Sequence, residues 1–164
     1  MGFENSLNTI SGTVSIAFLG HRDDEQLMKL DKLLLPFLKK ILLENRSVIF
    51  YVGRNGNFDE YVASLIKSVK RTVSNENSLL ILVLPYKVKD IEYYCNYYDE
   101  VIIPDGINGI HYKKAISSRN IWMIDNSDLV VFNVTKKKGG AYQAMKYAQI
   151  KGKTIWNISE DMSE

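Results

Sequence analysis

Short apolar runs alternate with amphipathic stretches along almost the whole of this chain, and that alternation constrains the fold more than any other feature. TVSIAFLG, RSVIFYVG, SLLILVLPY, EVIIP, DLVVFNV and KTIWNI read as strands. Between them lie helical patterns. DDEQLMKLDKLLLPFLKKILLEN repeats Leu27, Leu30, Leu34, Phe37, Leu38 and Ile41 at helical spacing, with Pro36 predicting a kink or break. NFDEYVASLIKSVKRTVS, YKKAISSRNIWMIDNS and GGAYQAMKYAQIKG read as further helices, the last closed by Gly152. The strands are apolar with little polar alternation, the pattern of strands covered on both sides. The expected fold is α/β: a single domain with a mostly parallel sheet and helices on both faces. At 164 residues the chain is long enough to bury a core of that kind.

Ligands of such sheets bind beyond the carboxyl ends of the strands, near a reversal of strand order. The residues just after the strands are therefore the candidates. Gly20, His21 and Arg22 follow the first strand. Gly20 permits close backbone approach, and the planar donors of Arg22 suit a phosphate or carboxylate, or else a helix carboxylate. Gly53 and Gly56 bracket a turn after the second strand. Asp59 then either caps the next helix or binds a sugar hydroxyl. Arg119 and Met123 share one helical face, and an arginine on a core-facing side calls for an anion. Asp125 and Asp128 also read as caps or turn formers. Gly139 and Gly140 open the last helix, where free backbone N–H groups and the helix dipole favour negative charge. No Gly-Lys-Ser/Thr follows, so the pattern is not that of an ATP-hydrolysing loop.

Lysine and arginine number 21 against 19 acids, a net charge of +2. That balance argues against a dedicated nucleic-acid surface, leaving the short runs Lys136–Lys138 and Lys67–Arg71 as solvated faces. The two histidines, His21 and His111, and the single Cys95 provide no zinc motif, so no metal site is assigned. A lone cysteine also excludes an internal disulfide and suits a cytoplasmic setting, and Cys95 is expected half-buried in the tyrosine run IEYYCNYYDE. That run reads as a packed or subunit-facing surface, or as an aromatic platform for bases. The amino-terminal MGFENSLNTISG has no basic leader with an apolar stretch behind it, so no secretory signal is expected. No apolar run reaches membrane-spanning length.

The motifs GHR, G-x-x-G-x-F-D, LPY, YDEVIIP, SRNIWMIDNSDLVVFNV and GGAYQAMKYA together resemble the YpsA-like, DUF1273-type branch of the SLOG superfamily. That superfamily joins the LOG nucleotide phosphoribohydrolases with DNA-processing Rossmann-like proteins. The resemblance runs from about Ser15 to Ile158. It implies a Rossmann-like domain over 15–158, an extension at 1–14 and a tail at 159–164. It further implies binding or sensing of a nucleotide or ADP-ribose-like molecule, with a homodimer as the expected assembly. The site it implies uses the Gly20–Arg22 loop, the Gly53–Gly56 turn, Arg119 and the Gly139–Gly140 turn, and the full set of candidate ligand-binding residues is Gly20, His21, Arg22, Gly53, Gly56, Asp59, Arg119, Asn120, Asp128, Gly139, Gly140 and Tyr142. No cofactor is implied.

The hydrolase relatives carry Arg-Lys-x-x-Met and then Pro-Gly-Gly-x-Gly-Thr-x-x-Glu. Here Arg119, Asn120 and Met123 match the first segment, with Asn120 in place of the lysine. Gly139 and Gly140 match the double glycine. Tyr142, Gln143 and Lys146 replace the later glycine, threonine and glutamate. A lysine cannot do the work of a carboxylate at an N-glycosidic bond, so no catalytic residue is assigned and binding ranks above catalysis. Glu25, Asp59 and Asp128 are the acids that an N-glycosidic hydrolase or deoxyribosyltransferase-like enzyme would have to draw on. A DNA-associated or protein-interaction module is the other alternative.

Overall fold

A computed structural model describes residues 12–107 and 109–162. The expected amino-terminal extension lies almost wholly outside these residues, as do the last two residues of the expected tail. The strands are β1 (Thr13–Gly20), β2 (Ser47–Val52), β3 (Leu79–Val83), β4 (Glu100–Ile102), β5 (Leu129–Asn133) and β6 (Thr154–Asn157). The helices are α1 (Asp31–Glu44), α2 (Asn57–Val73), α3 (Ile91–Tyr97), α4 (Tyr112–Asp125) and α5 (Gly140–Ile150). Short 3-10 turns at Leu27–Leu30 and Ile158–Met162 precede α1 and follow β6.

The six strands form one sheet in the order β4-β3-β2-β1-β5-β6, and every neighbouring pair is parallel. This is the Rossmann-like arrangement that the alternating pattern predicts. Alternate residues of each strand feed opposite faces. Ile16, Phe18, Phe50 and Leu82 pack under α1 and α2, with Leu34, Leu38, Val62 and Ile66 completing that side. Ala17, Leu19, Val83, Val130 and Phe132 pack under α4 and α5, against Met123, Ile124, Ala144 and Ala148. Each central strand is therefore covered on both sides, which is why its sequence shows little polar alternation.

The sequence of β1 through β4 builds outward in one direction. The long passage through α4 then carries the chain back across the sheet, and β5 pairs with the other edge of β1. Strand order reverses between β1 and β5, and their ends are level, Gly20 opposite Asn133. The loops leaving these two strands diverge and open a crevice between them.

Pro36 does not break the first helix. It lies inside a continuous α1, and the irregularity falls earlier, where the Leu27–Leu30 turn passes into Asp31. Pro36 and Lys32, whose carbonyl loses its intrahelical donor, are both exposed, so the interruption lies on the solvent side of the helix. Cys95 is exposed rather than half-buried. It stands on the outer side of α3, while Tyr94 and Tyr97 of the same helix turn toward the core. The described residues contain no helix long and apolar enough to cross a membrane.

Candidate ligand-binding site

The crevice at the β1–β5 reversal holds a cavity of about 270 Å³. Four elements line it. Gly20, His21 and Arg22 come from the end of β1 and the loop after it, Asn55 from the turn before α2, and Asp59 from the first turn of α2. Ile116, Arg119 and Asn120 come from α4, and Gly139, Gly140 and Ala141 from the start of α5. These segments are far apart in sequence, and parallel strand ends bring them to one edge.

Arg119 is the unusual member. It is 2% exposed, on the same side of α4 as the fully buried Met123. Its Nη1 donates to the Val83 carbonyl at 3.0 Å and its Nε to the Asn120 side-chain oxygen at 2.9 Å. Both partners are neutral. Burial presses the Arg119 pKa down from its ordinary value, while the nearby Asp59 charge opposes that shift. The guanidinium nevertheless remains cationic at neutral pH, as arginine does in proteins.

Asp59 is 7% exposed and stands in the first turn of α2. Its carboxylate accepts the Asn55 backbone N–H at 3.1 Å. Burial pushes its pKa up to about 6, against the pull of Arg119, the Asn55 N–H and Arg22. The expected cap role is thus only part of what Asp59 does. It is also an acid that titrates close to neutrality inside a cavity shared with two arginines.

The glycines around the site serve two different ends. A Cβ on Gly53 would lie 2.5 Å from Arg119 Nη1 and 3.0 Å from an Asp59 carboxylate oxygen. Gly53 is therefore the space in which these two side chains converge. A Cβ on Gly56 would lie 2.5 Å from the Arg22 Cα, because the two loops press together there, and Asn57 N–H bonds to the Arg22 carbonyl at 3.0 Å. By contrast, a Cβ on Gly139 or Gly140 would meet nothing within 4 Å. Gly139 has φ +91°, a conformation that lets the chain turn into α5 with its first N–H groups free of side chains. At this turn the glycines border open space rather than relieve a packed contact.

His21 ties the two sides of the crevice together. Its backbone N–H donates to the Asn133 carbonyl at 3.3 Å, and its Nε2 accepts the Lys136 backbone N–H at 3.0 Å. Burial and the Lys136 charge hold its pKa below the ordinary value, with Asp24 pulling the other way. Asp24 anchors the same loop: it accepts from Asn133 and from the Gln26 N–H, while Asn57 bonds to its backbone. The buried Asn133, 2% exposed, gave no signal in the sequence beyond its place at a strand end. Asn55 also escaped the sequence reading, although it stands inside the Gly53–Gly56 turn.

Not every candidate reaches the cavity. Asp128 sits before β5, at the amino end of the strands, where its carboxylate accepts the Ser15 N–H at 2.9 Å and the Ser15 hydroxyl at 3.1 Å. The strand itself separates it from the carboxyl-end crevice, and it joins β1 to β5 instead. Tyr142 lies on α5, half-buried, with the Lys146 ammonium 5.6 Å from its ring centre. Lys146 is exposed and outside the cavity lining. Glu25 is not among the residues that line this cavity. Among the described residues, no group of three or more His, Cys, Asp and Glu side chains is placed to hold a metal ion.

No protein-family model matches the chain, and no curated protein matches it. Among solved structures it is similar to DNA processing protein A from Streptococcus pneumoniae, with a TM-score of 0.64 and 16% sequence identity. The likeness covers 87% of this chain and 49% of that one, so the chain spans about half the length of that protein. At this identity the likeness shows a shared fold.

Proposed function

We propose that this chain binds a small phosphate-bearing ligand of the nucleotide or ADP-ribose class in the β1–β5 crevice. One observation carries the reading: the buried cation Arg119 shares a cavity with the side-chain-free amino terminus of α5 at the reversal of strand order. A phosphate there would take backbone N–H donors from Gly140 and Ala141, the dipole of α5, and the charges of Arg22 and Arg119. Asp59 holds a negative charge next to these cations at a cost to folding. That is the arrangement of a site whose polar groups are kept for a ligand rather than for stability.

The same cavity bears on turnover. Asp59 is the one carboxylate among its lining residues, so N-glycosidic cleavage here would have to use it as the acid or base. Membership of the YpsA-like branch, a cytoplasmic setting and a homodimeric state belong to the same reading. The test is a thermal-shift and calorimetric screen with AMP, ADP, ADP-ribose and NAD, repeated on Arg119→Lys. Saturable stabilisation that weakens in the variant supports the reading; a flat response from the folded protein overturns it.

Association with DNA is a second reading, favoured by the likeness to DNA processing protein A and by the exposed Lys136–Lys138 run beside the crevice. It predicts binding of single-stranded DNA that falls steeply with salt and is lost when the three lysines become glutamine.

A further inference from the structure

Arg119 and Asp59 meet at the backbone of Gly53. The place that a Gly53 Cβ would take lies 2.5 Å from Arg119 Nη1 and 3.0 Å from an Asp59 carboxylate oxygen. Both side chains are buried, and both line the crevice cavity. Yet neither hydrogen bond of the guanidinium goes to the carboxylate, since Nη1 donates to Val83 and Nε to Asn120. Asp59 is a counter-charge held close to Arg119, not a partner locked onto it. Other charged and titratable groups act on the pair from the surrounding elements. Arg22 lies after β1, Arg54 before α2, Glu60 beside Asp59 on α2 and Tyr86 after β3, while Tyr98 after α3 feels the Asp59 charge. His21 shares the cavity lining.

We infer that the crevice is a proton-coupled anion site, in which Asp59 takes up a proton as an anion binds against Arg119. The inference rests on the anion-binding reading above and extends it to how that binding is controlled. An anion at Arg119 places a second negative charge beside Asp59, where burial strengthens the repulsion. Two like charges that share one buried cation do not both stay ionised freely. Burial has already raised the Asp59 carboxyl to about 6, within reach of neutral solution. A proton from solvent then adds to a carboxylate oxygen, leaving Asp59 neutral and Arg119 with the anion as its counter-charge. Because the bound state holds this proton more tightly than the free state, affinity for the anion rises as pH falls between the two titrations and is constant outside that window.

The test uses inorganic sulfate, whose double charge does not change between pH 5.5 and pH 8, so any pH dependence belongs to the protein. Calorimetric titration of the full chain is run at both pH values beside Asp59→Asn, which keeps an oxygen to accept the Asn55 N–H. The parent protein is expected to bind sulfate about tenfold tighter at pH 5.5 than at pH 8. Asp59→Asn should show the tighter affinity at both. At pH 6.5, binding enthalpies in two buffers of different ionisation enthalpy should reveal net proton uptake by the parent protein and none by the variant. Equal parent affinities at the two pH values overturn the proton coupling while leaving the anion site intact. A pH dependence that survives in Asp59→Asn assigns the effect to His21 and overturns it equally. Absence of sulfate binding by both proteins at pH 5.5 overturns the anion site and this inference with it.

Discussion

Arg119 on α4 donates to the backbone carbonyl of Val83, at the carboxyl end of β3, across 3.0 Å. This bond holds a buried cation at the strand ends, with the Asp59 carboxylate nearby. Replacing Arg119 with lysine should keep a positive charge but lose the simultaneous contacts to Val83 and Asn120. Affinity for a phosphate ligand should fall on the order of tenfold, read by calorimetry. An unchanged affinity in a folded variant would remove Arg119 from the binding machinery.

Asp59 carries a pH dependence whose sign can be worked out. Its carboxyl titrates at 3.8 by reference and at about 6 in the folded chain, with burial as the main cause. The folded state therefore holds the proton more tightly than the unfolded state. This group's contribution is most favourable below the lower value, declines as pH rises from one to the other, and is constant above. The span corresponds to about 3 kcal/mol. Asp59→Asn should match the parent protein near pH 4 and exceed its stability by up to about 3 kcal/mol at pH 7, in urea unfolding. A gap that does not grow with pH would contradict the burial argument.

Gly140 and Gly56 should respond in opposite ways to added side chains. Gly140→Leu points into open space at the start of a helix, so the melting temperature should hold while phosphate-ligand binding is lost. Gly56→Ala forces a Cβ against the Arg22 backbone and should cost about 1–3 kcal/mol in unfolding experiments. If Gly140→Leu leaves binding intact, the α5 amino terminus is not where the ligand sits.

His21 should stay neutral to lower pH than a free imidazole, because burial and the Lys136 charge disfavour its cation. Its lowered pKa gives stability that is complete above 6.5 and is lost as pH falls through the folded value. Ring-proton NMR titration checks the shift. His21→Ala should abolish any pH dependence from this source and loosen the contact to Lys136 that joins the two loops.

The sequence showed the α/β alternation because strands covered on both faces must be apolar, and because amphipathic helices must repeat at 3.6 residues. It also picked out Gly20, Arg22, Arg119, Gly139 and Gly140, since short motifs at strand ends are visible in one dimension. It could not place Asp128, because an aspartate beside a strand looks the same whichever end of the sheet it occupies. Cys95 misled for a related reason: in a short helix flanked by tyrosines, one residue's phase decides between core and solvent. Pro36 does not divide the helix: α1 runs through it as one element, with the proline on its exposed side.

What the sequence determined by itself was the class of fold and several of the residues that line the crevice, because these follow from local periodicity and from turn chemistry. Only the tertiary structure decided that Asp59 and Arg119 converge on Gly53, that His21 joins the loops after β1 and β5, and which glycines border open space and which merely fit. Those facts depend on the order of strands in the sheet, which brings segments some sixty residues apart to one crevice. Burial there, rather than any neighbour in sequence, sets the charge state of the groups that meet.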